Sequence, residues 1–282
     1  MADVSAPVQT RPVLVIRPPR KWAPFNLREL WQFRGLANRL VRRDLTLRYR
    51  QTVLGVIWVV LQPLLAAGIF AFVFGRVAGL SSDGVPYFAF AFAGMLAWNV
   101  FSSVVTRMSG SLLTNAELVS KIFFPRLALP LSTIGSVFVD FLVGLGMMVV
   151  IWLVAGIVPS WALVTLPIWL LGVLLLSSGI GILAAALMVP YRDMQYVTPV
   201  AVQLLLFISP VAYSLASVPG GARFLFELNP LTGLLEGFRW ALLGVGDLQV
   251  FPTVWAFACA IAFFAIGSFG FAHMERRFAD VI

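Results

Sequence analysis

The fold is decided by residues 127–191, LALPLSTIGSVFVDFLVGLGMMVVIWLVAGIVPSWALVTLPIWLLGVLLLSSGIGILAAALMVPY, in which Asp140 is the one charged residue. A helix needs roughly 20 apolar residues to cross the hydrocarbon core of a bilayer. The stretch is too long for one such helix, and the sequence Val158-Pro159-Ser160 interrupts it. It therefore predicts two membrane-spanning helices.

The whole chain shares this apolar character. Of its 282 residues 60% are hydrophobic and only 11% are charged, and the mean hydropathy is +0.95. A soluble domain carries about a quarter charged residues, so a water-soluble fold is excluded. Further long uncharged stretches bring the prediction to six membrane-spanning helices. We expect them at about residues 53–75, 85–106, 127–157, 161–189, 196–218 and 250–272.

The basic residues predict the orientation of these helices. Eleven of the 20 Lys and Arg residues lie before residue 51, and cytoplasmic segments of membrane proteins are enriched in Lys and Arg. The N-terminus has no apolar core followed by a cleavage site, so we expect it to stay in the cytoplasm. Both termini are then cytoplasmic, and most of the basic excess is explained without nucleic-acid binding.

The segment before the first span divides into two parts. Residues 1–24 are rich in proline and predict a flexible cytoplasmic arm. Residues 25–50 predict an amphipathic helix on the cytoplasmic leaflet, with Asn26 as its N-cap and Glu29 completing a capping box. From its periodicity alone, a helix that only anchors the chain to the membrane is as well supported as one with a further function.

Two connecting segments also carry helical signals. A capping-box pattern at Thr114 and Glu117 predicts a short cytoplasmic helix at about 115–124, which is a docking element or an ordinary surface helix. Within the outer segment 220–245, residues 231–243 are too apolar for water and too short to span, which predicts that this segment is re-entrant. Residues 275–282 form the predicted cytoplasmic tail.

Three ionisable residues stand out in the apolar part of the chain. Glu236 and Arg239 are three residues apart on one helix, so they either pair with each other or contact a substrate. Asp140 lies within the third span and must face protein or water. We expect it to have a structural or gating role. Its candidate partners are Arg239, Gln62 and Gln203.

Catalytic and metal chemistry are not expected in this chain. No glycine is followed by lysine, so the Gly-Lys-Ser/Thr phosphate loop is absent. Cys259 and His273 are the only residues of their types, which leaves no cluster for a metal ion. We therefore predict that the chain is not an enzyme and binds no cofactor or metal.

Aromatic residues make up 13% of the chain. Sugars present apolar C–H faces that stack on aromatic rings, so a glycan pathway would be aromatic and weakly charged. For each single residue, core packing or lipid contact is an alternative. The candidates for such a pathway are Trp58, Phe70, Phe74, Phe207 and Tyr213.

Five short sequence motifs follow one another along the chain, each on its predicted side of the membrane. They are RDLTLRYRQTVLGVIWVVLQP (43–63), NAELVSKIFFPRLALPL (115–131), YRD (191–193), SPVAYS (209–214) and LNPLTGLLEGFR (228–239). Together they resemble the ABC-2 type permease family, and within it the subfamily that exports O-antigen and teichoic-acid polysaccharides.

This resemblance implies a homodimer that binds two copies of a cytoplasmic ATPase, which uses ATP and Mg²⁺. The cargo implied is a polysaccharide linked to undecaprenyl pyrophosphate, exported across a bacterial inner membrane. Alternatives are an ABC-2 exporter of small drugs or lipids and a membrane enzyme acting on lipid-linked sugars. The resemblance also implies residue roles: ATPase contact for Glu117, Lys121 and Arg126, an inner gate at Leu54 and Gly55, and pyrophosphate contact for Arg48 and Arg50.

Overall fold

The computed structural model describes residues 31–49, 55–121, 124–246, 248–275 and 278. The predicted arm 1–24, the predicted helix start at Asn26 and most of the tail lie outside these residues. The described part is helical and contains no strand. Its helices are α1 (Arg34–Tyr49), α2 (Gly55–Phe70), α3 (Tyr87–Thr114), α4 (Ala116–Lys121), α5 (Ala128–Ala155), α6 (Leu166–Met188), α7 (Met194–Ile208), α8 (Gly220–Leu228), α9 (Pro230–Leu243) and α10 (Val250–Met274).

Among the described residues, five helical segments are long and apolar enough to cross a membrane. They are Ile57–Val77, Tyr87–Thr114, Ala128–Ala155, Trp161–Met188 and Val250–Met274. The first combines α2 with a π-helical turn at Ala71–Val77, and the fourth adds a 3₁₀ turn to the start of α6. An all-helical membrane protein is thereby confirmed, whereas the count of six spans and their orientation stay predictions.

The centre of the bundle is formed by α3 and α6. α6 packs against α3 on one side and α10 on the other, while α5 and α2 lie against α3. At the crossing of α6 and α10, a Cβ built on Gly267 would lie 2.1 Å from the Gly179 carbonyl oxygen. The two backbones are therefore in direct contact, as is usual where small residues line a helix crossing in a membrane protein.

The second predicted span ends at residue 106, but α3 continues through Arg107 to Thr114. The Thr114 hydroxyl donates to the Gly110 carbonyl at 2.9 Å, within the last turn of α3. The predicted capping box of Thr114 and Glu117 is therefore wrong. The helix does not end where the charge appears, because Arg107 has an ion-pair partner on α5.

The predicted fifth span, 196–218, is not one helix. α7 ends at Ile208, and residues 209–214 form an irregular segment, called the corner below, which begins with extended backbone at Ser209. The predicted re-entrant region 220–245 contains the two short helices α8 and α9. They meet at Asn229, whose side chain accepts a hydrogen bond from the Leu231 N–H and so caps α9. Most of α9 is buried, against α3, α6 and α10.

The described part of the amphipathic helix, α1, packs on the protein. Leu40 is buried, and Gly135 of α5 provides the space for Val41, since a Cβ at position 135 would lie 2.7 Å from a Val41 methyl carbon. Contact with α5 therefore accompanies any contact that α1 makes with the leaflet.

Candidate functional site

Four aromatic rings form a continuous row, which we call the aromatic row. Phe70 and Phe74 at the end of the first span have ring centroids 5.8 Å apart, and Phe74 lies 6.2 Å from Tyr213. Tyr213 in turn lies 6.1 Å from Phe226 of α8, edge to face. Three of these residues were predicted as pathway candidates. Phe226 was missed, because its place depends on how α8 and α9 fold.

The other two predicted pathway residues lie apart from this row. Among the ring contacts of the described residues, Trp58 and Phe207 do not take part in it, and their side chains are 55% and 66% exposed. Phe207 contributes only its carbonyl oxygen, which accepts a hydrogen bond from the Tyr213 hydroxyl at 3.2 Å. Exposed rings at these positions fit contact with lipid or with another chain.

The corner that carries Tyr213 is held by side chains from two other elements. The Tyr87 hydroxyl, at the start of α3, donates to the Ala212 carbonyl at 2.7 Å. The Asn229 side-chain amide donates to the Ser209 hydroxyl oxygen at 2.9 Å. Both donors lie far from the corner in sequence, which is why no local pattern identified them.

Glu236 and Arg239 of α9 complete the support of the corner. The predicted ion pair between them is present, with Arg239 Nη1 at 3.1 Å from Glu236 Oε1. The same carboxylate oxygen accepts the Leu215 N–H at 3.1 Å. Arg239 Nη2 donates to the carbonyls of Pro210 at 2.7 Å and Val211 at 3.1 Å.

Asp140 has a different partner from those expected. Arg107 Nη2 of α3 lies 2.5 Å from Asp140 Oδ2, and Arg107 Nη1 donates to the Ser136 hydroxyl oxygen at 3.1 Å. Both charged side chains are mostly buried. The expected pairing with Arg239 is wrong, because Arg239 is held by Glu236 and the corner. Arg107 was missed, since the sequence placed it in a cytoplasmic loop.

The short helix α4 presents charged side chains at its surface. Lys121 Nζ lies 3.2 Å from Glu117 Oε2, and the two side chains are 71% and 89% exposed. Next to this helix, Arg43 Nη2 of α1 donates to the Asn115 side-chain oxygen at 2.7 Å. The amphipathic helix is therefore bonded to the junction of α3 and α4, a contact that the sequence did not indicate.

Arg126 was assigned to the same docking surface by resemblance, and the structure places it against the end of the last span. Its Nη1 donates to the Glu275 carbonyl at 2.9 Å, and its guanidinium carbon lies 5.9 Å from the Phe278 ring centroid. A cation at the last carbonyls of a helix stabilises that helix end. Arg126 therefore contacts the end of α10 within the chain.

Most of the predicted inner gate lies outside the described residues. Arg50 and Leu54 lie outside the described residues, as does the side chain of Arg48, and Gly55 is the first residue of α2.

Within the described residues, no group of three or more His, Cys, Asp or Glu side chains is placed to hold a metal ion.

Comparison with known proteins gives consistent matches over most of the chain. The family model for the ABC-2 type transporter matches residues 36–243. The chain is 30% identical over 215 residues to the O-antigen export system permease protein RfbA of Myxococcus xanthus, covering 76% of this chain and 82% of that protein. It is 27% identical over 244 residues to RfbA of Klebsiella pneumoniae, covering 86% and 93%. It is also 25% identical over 210 residues to the polysialic acid transport protein KpsM of Escherichia coli, covering 72% and 80%.

Proposed function

Because the chain belongs to the ABC-2 type transporter family, we propose that it is the membrane permease subunit of an ATP-driven exporter of polysaccharide in the bacterial inner membrane. The observation that carries this function is its similarity, over 82% and 93% of their lengths, to permeases named for O-antigen export. The family predicted from the sequence is thereby confirmed, and so is a multi-pass membrane protein.

The proposed cargo is a polysaccharide linked to undecaprenyl pyrophosphate. Stacking on the aromatic row suits the glycan, since its four rings present apolar surface and include one hydroxyl, on Tyr213. Arg48 and Arg50, just before the first span, suit the pyrophosphate, because a guanidinium makes paired, charge-assisted bonds to phosphate oxygens.

The proposed assembly contains two copies of this chain. All four rings of the aromatic row are half-buried in one chain, so the row lies at a surface. Trp58 on α2 and Phe207 on α7 are exposed as well. A second copy related by a two-fold axis would bring these surfaces together and enclose a path between them.

Energy for export would come from two copies of a separate cytoplasmic ATPase, in which ATP and Mg²⁺ are bound. The chain has no Gly-Lys-Ser/Thr phosphate loop of its own. The exposed charges of α4 provide a docking surface, and the bond between Arg43 and Asn115 ties that surface to α1. Movement of the ATPase pair would thus reach both helices and, through α3, the centre of the bundle.

Replacing Glu117 by lysine tests this coupling. In the complex with its ATPase, we expect Glu117→Lys to lower ATP-dependent polysaccharide export at least tenfold while ATP hydrolysis persists, because the docking surface changes charge. The fold should survive, since an exposed pair of this spacing contributes little to stability. Export and ATP hydrolysis are measured together in proteoliposomes.

A charge-swapped variant serves as the control. Glu117→Lys combined with Lys121→Glu restores the pair within α4 but presents the opposite arrangement to a partner, so we expect export to stay low. Recovery of export in the double variant would show that only the internal pair matters. Normal export in the single variant would also contradict the docking role of α4.

A further inference from the structure

Arg239 is the largest fully buried side chain in the described part of the protein, at 1% exposure. Burying a guanidinium is costly unless ion pairs and hydrogen bonds replace its water. A side chain that carries this cost usually has a specific structural or functional task. The contacts of Arg239 therefore indicate what it is retained for.

The guanidinium is bound on several sides, and most of its contacts lead to the corner. Nη2 donates to the carbonyls of Pro210 and Val211, while Nη1 pairs with Glu236. The Phe90 ring of α3 lies under the guanidinium, with Cζ 3.9 Å from the ring centroid. Nε has no hydrogen-bond partner among the described residues. The contacts that orient the side chain are therefore those of Nη1 and Nη2 with Glu236 and the corner, together with the Phe90 ring.

Gly94 of α3 makes this arrangement possible. A Cβ at position 94 would lie 2.1 Å from the Val211 carbonyl oxygen and 3.2 Å from Arg239 Nη2. The corner backbone is thus pressed directly against α3 where the guanidinium holds it. Because Tyr213 lies two residues after Val211, we expect displacement of this backbone to move the Tyr213 ring as well.

We propose that Arg239, seated against Gly94 and Phe90, is the positioning residue that holds Tyr213 in the aromatic row. This role rests on the proposed function, in which the Tyr213 ring stacks on the glycan. The position of that ring then depends on the buried ion pair of Arg239 and Glu236. Arg239 itself does not touch the polysaccharide, since its side chain is almost fully enclosed. Its effect on export passes through the corner.

The test combines two variants in a cycle of export rates. Tyr213→Ala removes the ring, and we expect export to fall about threefold to tenfold, the effect of losing one aromatic contact. Gly94→Ala keeps every charged group but pushes the Val211 carbonyl away, and we expect a fall of similar size. If Gly94, on which Arg239 and the corner are seated, acts through Tyr213, the double variant Gly94→Ala with Tyr213→Ala falls less than twofold below Tyr213→Ala alone.

The matched control is Gly110→Ala on the same helix. A Cβ there would meet only the Thr114 hydroxyl oxygen, at 3.9 Å, so we expect wild-type export. Effects of Gly94→Ala and Tyr213→Ala that simply multiply would overturn the positioning role. Absence of polysaccharide export by the wild-type protein would instead contradict the proposed function.

A second measurement does not depend on transport. Cys259 is the only cysteine, so a chain carrying Cys259→Ala and Tyr213→Cys has a single thiol at the corner. We expect Gly94→Ala or Arg239→Lys to raise its rate of labelling by a water-soluble maleimide severalfold, and Gly110→Ala to leave the rate unchanged. Equal labelling rates in all these chains would show that Arg239 and Gly94 do not set the position of residue 213.

Discussion

Replacing Gly267 by alanine is expected to lower the free energy of unfolding by about 3 kcal/mol, near the upper end of what overpacking usually costs. The added methyl group would lie 2.1 Å from the carbonyl oxygen of Gly179. A backbone atom cannot rotate away as a side chain can, so α6 and α10 would have to separate. The measurement is reversible unfolding of the purified protein in mixed detergent micelles, followed by circular dichroism.

Gly146→Ala is the matched control for this prediction. Gly146 also lies inside a long apolar helix, α5, but a Cβ at that position would meet nothing within 4 Å. We expect its stability to be unchanged or slightly higher, because alanine favours helix more than glycine does. Equal losses in the two variants would mean that the loss in Gly267→Ala does not come from close contact of α6 and α10.

Replacing Asp140 by asparagine is the second substitution with a large expected effect. It leaves the Arg107 guanidinium mostly buried without its counter-charge, and breaking a buried pair from one side costs about 3 kcal/mol or more. We therefore expect a loss of about 2–3 kcal/mol, reduced because Arg107 keeps 25% exposure. This loss in the free energy of unfolding is measured by reversible unfolding in mixed detergent micelles, as for Gly267→Ala.

The double variant Arg107→Leu with Asp140→Leu separates structure from transport. Replacing both members of a buried pair by apolar groups is often near neutral, so we expect most of the lost stability to return. If Asp140→Asn keeps full stability yet abolishes export, Asp140 acts in transport and its structural role is wrong.

The sequence identified features that depend on composition or on short spacing. The apolar stretch 127–191 predicted its two long helices, and the i, i+3 spacing of Glu236 and Arg239 predicted their ion pair. The lone charge of Asp140 marked it as a residue that must face protein or water, and it faces the Arg107 guanidinium, which also donates to the Ser136 hydroxyl oxygen. In each case the signal lies within one stretch of the chain or in a single residue.

Features that depend on distant segments meeting could not be predicted in the same way. Arg107 looked like the start of a loop, because its partner lies 33 residues further along the chain. Phe226 joins Phe70, Phe74 and Tyr213 only because α7 ends at Ile208 and α8 then follows the corner. Without the register of the helices, neither contact has a signal in the local pattern.

The most direct test of the central claim is the fate of lipid-linked polymer in cells that lack this chain. After deletion of its gene, we expect complete polymer linked to undecaprenyl pyrophosphate to accumulate on the cytoplasmic side of the inner membrane. Re-expression of the wild-type chain together with its ATPase should restore export. Truncated polymer would indicate an enzyme acting on lipid-linked sugars, and unchanged polymer at the cell surface would indicate a different cargo. Either result would contradict polysaccharide export by this protein.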